Sequence, residues 1–199
     1  AGADSFAGQN PAILRCNSAN SLMSDTAGKN QAVTATVQDA LRLGCAAIGF
    51  TIYPGSDMAL DMFEEISEMR AEAASVGIPT VIWSYPRGEA ITKECETAID
   101  IAAYAAQIAA LLGAHIIKIK LSTDHLENKD AKKVYQDQGI DISTQAKRVE
   151  HCMQAAFGGR RIVVFSGGAA KGSDAVYEDA IAIRDGGGNG SIIGRNSFQ

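Results

Sequence analysis

Lys118 ends an apolar run, Ile116-Ile117-Lys118-Ile119-Lys120, and is the first residue of this chain placed to do chemistry. A lysine held among apolar neighbours loses solvation, which favours the neutral amine. A neutral amine attacks carbonyls and forms a Schiff base. Lys120 lies two residues on and faces the same side of a strand. A second ammonium there would lower the pKa of the first. Trp83-Ser84-Tyr85 alternates in the same way, so Trp83 and Tyr85 share a face, and a phenol near an amine can shuttle a proton. Ser166-Gly167-Gly168 follows an apolar run and precedes a helical pattern, and such glycines let backbone N–H groups approach an anion. Gly194-Arg195 repeats the arrangement after the next run and adds a guanidinium suited to phosphate. Each has a plainer reading alone: Lys118 turned to solvent or paired with an acid, Lys120 in a phosphate contact or salt bridge, Tyr85 packed, each glycine pair a tight turn.

These residues need a scaffold that brings successive strand ends together. Six short β-branched runs begin near Ile13, Ile48, Thr80, Ile116, Ile162 and Ser191. They are nearly continuous rather than alternating, as strands covered on both faces are. Helical patterns lie between most of them: 31–43, 57–75, 98–112, 144–157 and 173–184. Several end at a glycine just before the next strand, at Gly44, Gly77, Gly113 and Gly158-Gly159. Strand, helix, glycine, strand is the grammar of a parallel sheet, and the unit length suits a (β/α)8 barrel, of which about six units are present. An open doubly wound sheet is the alternative, weakened by the absence of a GxGxxG after any strand. In a barrel the residues that follow each strand gather at one mouth. Asp185 to Gly190 precedes a strand and reads as a turn on the opposite rim. The charges at 129–133 and at Arg160-Arg161 read as a solvated surface.

Composition narrows the classes further. The chain has 199 residues, a net charge of −5 and no basic tract, which argues against nucleic acid as a partner. No apolar stretch approaches a membrane span. Cys16, Cys45, Cys95 and Cys152 are scattered, and so are His115, His125 and His151. Neither set suggests a metal site, and the cysteines suit a reducing cytoplasm.

Taken in order, five stretches resemble the class I fructose-1,6-bisphosphate aldolases of archaeal and bacterial type. They are 49–56 (GFTIYPGS), 81–88 (VIWSYPRG), 113–120 (GAHIIKIK), 166–169 (SGGA) and 193–198 (IGRNSF). The resemblance implies a (β/α)8 barrel that cleaves fructose 1,6-bisphosphate reversibly to two triose phosphates through a lysine imine. It implies no cofactor or metal, a phosphorylated sugar as substrate, and a homo-oligomer, a decamer or similar, in the cytoplasm. By position, Lys118 resembles the imine lysine in preference to Lys120, Tyr85 the proton-transfer tyrosine, and Trp83 the tryptophan beside it. Ser166, Gly167, Gly168, Gly194 and Arg195 resemble the phosphate site, and Arg87 is placed to meet the distal phosphate. One departure stands out. The family's first strand carries a catalytic aspartate in an Asp-x-Gly motif, which has no counterpart here, and Ile13 to Asn17 resembles the family's third strand. The expectation is a single aldolase-type domain over 1–199 that lacks about two N-terminal units and the last helix. Two other readings remain. One is a related imine-forming enzyme, transaldolase-like or thiolase-like, on another phosphorylated carbonyl. The other is a non-catalytic sugar-phosphate binder.

Overall fold

A computed structural model describes residues 8–22, 28–89, 91–167 and 172–194. Six parallel strands form one sheet in the order β1 (Ile13–Arg15), β4 (Ala47–Ile52), β5 (Thr80–Ser84), β6 (Ile116–Lys120), β7 (Ile162–Ser166), β8 (Gly190–Ile192). Each predicted strand is present, with no end moved by more than one residue. Sequential order with a helix after most strands is the layout of six successive units of a (β/α)8 barrel. Among the described residues the sheet stays open, with β1 and β8 at its edges.

The helices are α1 (Val37–Arg42), α2 (Ala59–Ser75), α3 (Ile99–Leu111), α4 (Lys129–Asp137), α5 (Gln145–Ala155) and α6 (Ser173–Asp185). They cover one face of the sheet. That face carries Ile48, Phe50, Ile82, Ile117, Ile119, Val163 and Phe165, all buried in one apolar cluster. Helix α3 buries Ile99, Ala102, Ala105, Ala106 and Ala109, and its small side chains let it lie close against β5 and β6. Gly113, at φ 85°, ends this helix and turns the chain into β6. The core therefore sits between sheet and helices, and the alternate strand positions are left for the other face.

Two predicted elements are corrected. The helix expected from Gln31 is only Val37–Arg42, closed by a Thr36/Asp39 capping box. The residues before it are drawn elsewhere. Ala32–Val33 (β3) pairs antiparallel with Asn17–Ser18 (β2). Gln31 is buried, donating to Tyr53 Oη at 2.7 Å and accepting from Arg15 at 3.0 Å. The stretch read as surface charge from Lys129 is helix α4, capped by Asn128, with Tyr135 its buried contact. The turn read over Asp185–Gly190 is the connection 186–189 between α6 and β8, where Asn189 closes onto the start of β7.

Candidate active site

Lys118 lies on the sheet face turned away from the helices. Its neighbours on β6, Ile117 and Ile119, are fully buried on the opposite face. Strand register sets Lys118 between Trp83 of β5 and Val164 of β7. The amine is half-buried, and burial alone holds its pKa below the ordinary lysine range. Among the described residues Lys118 makes no hydrogen bond or ion pair, so nothing local compensates its charged form.

Trp83 lies between Thr51 and Lys118 in the register. Its ring covers Gly49, where an added Cβ would come within 2.2 Å of the indole. Gly49 therefore leaves the space that this ring fills. Tyr85 extends β5 beyond its last ladder pair, its N–H donating to Ile52 C=O at 3.1 Å. The phenol packs by Tyr53 and Met62, and burial raises its pKa while the Arg87 guanidinium opposes that shift. Arg87 lies over the Tyr85 ring at 5.5 Å. Lys118 and Trp83 are thus in register on adjoining strands, and Tyr85 follows just past the end of β5.

The loop that carries Tyr85 and Arg87 is fixed by a close backbone approach. Gly88 has φ 143°, and a Cβ there would fall 2.1 Å from Gly55 C=O. Next to it, Glu89 accepts from the N–H groups of Asp57 and Lys29, each at 3.1 Å. These bonds hold its carboxyl below the usual range and tie three loops of the mouth together.

Lys120 is placed differently from the tuning role read from its spacing. Its ammonium is bonded to Glu96, and the depression at Lys118 has burial as its cause. Glu96 also lies 3.9 Å from Arg87 Nε. Spacing alone gave no sign of Glu96, because the partners are 24 residues apart and Glu96 sits in a short 3₁₀ turn, Cys95–Thr97. Arg15, whose charge also reaches Tyr85, was likewise unmarked. Ser166 is in register with Lys120 and Ile192, and the Gly167 N–H donates to Ile192 C=O at 3.2 Å. Gly194 lies just past β8, and among the described residues nothing comes within 4 Å of where a Cβ would sit. Gly168 and Arg195 lie outside the described residues. A cavity of about 230 Å³ opens elsewhere, beside α5, lined by Asp141, Lys147, Glu150 and His151. Among the described residues no group of three acidic, histidine or cysteine side chains could hold a metal.

The site thus consists of a parallel α/β sheet carrying a half-buried lysine in the middle of β6, in register with Trp83 of β5, with Tyr85 two residues beyond Trp83. This chain belongs to the DeoC/LacD family of aldolases, whose family model matches residues 2–199. It is 42% identical over 120 residues to the class 1 fructose-bisphosphate aldolase of Thermoproteus tenax, covering 60% of this chain and 44% of that one. It is 33% identical over 172 residues to the enzyme of that name from Halobacterium salinarum, covering 85% and 55%. The chain thus spans about half the length of these curated relatives. Its fold matches a Schiff-base-forming fructose-1,6-bisphosphate aldolase with a TM-score of 0.77 at 30% identity, covering 95% of this chain and 65% of the other. An archaeal fructose-1,6-bisphosphate aldolase, with its catalytic lysine bound to the carbinolamine of the substrate, matches at 0.78 and 29% identity, covering 97% and 66%.

Proposed function

We propose that this chain carries the imine chemistry of a class I fructose-1,6-bisphosphate aldolase. The observation that carries the reading is Lys118: half-buried, unpaired among the described residues, depressed in pKa, and beside Trp83. Its amine adds to the substrate ketone and loses water to give an iminium. A base removes the proton of the C4 hydroxyl, the C3–C4 bond breaks, and its electrons neutralise the iminium as an enamine. Glyceraldehyde 3-phosphate leaves. Protonation at C3 and hydrolysis then release dihydroxyacetone phosphate and restore the amine. Tyr85 handles protons in these steps, because burial keeps its hydroxyl protonated and ready to donate. Ser166, Gly167, Gly168, Gly194 and Arg195 hold the phosphate next to the ketone, fixing the carbonyl over the amine. The free cysteines among the described residues suit a reducing compartment, and we place the enzyme in the cytoplasm as a homo-oligomer.

Borohydride reduction in the presence of dihydroxyacetone phosphate tests the reading in the full-length protein. The expected result is a stable adduct on the peptide that contains Lys118. An adduct on Lys120 would move the assignment. No adduct, with the protein folded, would leave a non-catalytic sugar-phosphate binder as the better account.

A further inference from the structure

We propose that Glu96 is a positioning residue that gathers Lys120 and Arg87 into one site for the substrate phosphate remote from the imine. The proposal rests on the imine reading above. Lys120 comes from β6 and Arg87 from the loop after β5, and both reach the same carboxylate. The Glu96 side chain is only 12% exposed and that of Lys120 23%, so the pair is partly withdrawn from water, where a charge-assisted contact orients its partners more firmly. Arg87 is more open, at 44%, and so remains accessible to a ligand from solvent.

Two cations from a strand and a neighbouring loop that meet on one carboxylate can also meet on one phosphoryl group, since both anions present closely spaced acceptor oxygens. Glu96 thus marks where the remote phosphate is drawn. Without it Lys120 would be free to turn toward Ser166, its neighbour in register and part of the loops assigned to the other phosphate. Glu96 pulls that ammonium to the β5 side instead, so each phosphate keeps its own set of groups. The same contact holds Arg87 over the Tyr85 ring.

The test compares kcat/KM for fructose 1,6-bisphosphate and fructose 1-phosphate, which lacks the remote phosphate. Glu96→Gln keeps the shape and an acceptor for Lys120 but removes the charge. The expected result is that preference for the bisphosphate falls by about 10- to 100-fold, the order expected when a binding group is misplaced. Trapping of dihydroxyacetone phosphate on Lys118 should persist, because that ligand has no remote phosphate. Glu96→Asp, which keeps the charge, should restore most of the preference. Unchanged preference in Glu96→Gln overturns the proposal. So does a parallel loss of trapping, of both cleavage activities and of Tm, which would mark a structural ion pair. If the unsubstituted protein itself gives no adduct, the imine reading fails, and this one with it.

Discussion

Lys118 and Tyr85 are both shifted in pKa chiefly by burial. Lys118 has a depressed pKa because its amine loses water and gains no anion. A protonated amine cannot attack a carbonyl, so adduct formation should rise with pH through this lowered pKa. The rate of borohydride trapping against pH should therefore have a midpoint below the ordinary lysine range; a midpoint within that range would contradict desolvation at Lys118. Tyr85 is shifted upward, also by burial, so its hydroxyl keeps its proton at neutral pH. Tyr85→Phe preserves the ring that packs by Tyr53 and Met62 and should leave stability nearly unchanged. Cleavage should fall by about 10²–10⁴-fold if the hydroxyl transfers protons, while the first imine can still be trapped. Near-normal turnover in this variant would make Tyr85 a packing residue. The residues behind this argument were legible in the sequence, because a polar group at the end of an apolar run is a local signal. Glu96 was not, since its meaning lies in contacts made across the fold.

At the scale of elements, the strands were legible and one helix was overdrawn for a physical reason. Buried parallel strands announce themselves as apolar runs, and all six fall where such runs occur. The segment from Gln31 to Ala35 has helical composition, yet its side chains and backbone are claimed by Arg15, Tyr53 and β2. Tertiary contacts override propensity there. Helix α4 was missed because its sequence is polar and only Tyr135 is buried. The loop after β5 is held at two points. It places Tyr85 and Arg87 through the contact of Gly88 with Gly55 and through the bonds of Glu89. Gly88→Ala should therefore act on the site from a distance. The added Cβ meets backbone and the φ is unfavourable, so the loop must move. Turnover should fall well beyond the loss in Tm, and trapping at Lys118 should survive, since β6 is untouched. Equal loss of trapping and turnover would show that this loop does not position Tyr85 separately.

Across the whole molecule, the period of two along each strand separates stability from chemistry. Odd and even positions of β6 face different worlds: Ile117 and Ile119 join the core beneath the helices, while Lys118 and Lys120 face the open side. Substitutions one residue apart should then have opposite consequences. Ile119→Ala removes a fully buried side chain and should cost about 2–5 kcal/mol, with trapping retained in the molecules that stay folded. Lys118→Met should abolish trapping and should not destabilise the fold. The sign follows from linkage. The native pKa of Lys118 lies below the unfolded one, so between the two the unfolded chain binds the extra proton and native stability rises with pH. Below that window the native state holds a charged amine at a site that disfavours it. Methionine removes this cost, so Lys118→Met should be the more stable protein near neutral pH, and its advantage should shrink as pH climbs through the window. Urea unfolding of both proteins across pH would measure the gap. A variant less stable than the parent at neutral pH, or a gap that widens with pH, would mean that Lys118 is held by favourable contacts and is not a strained nucleophile.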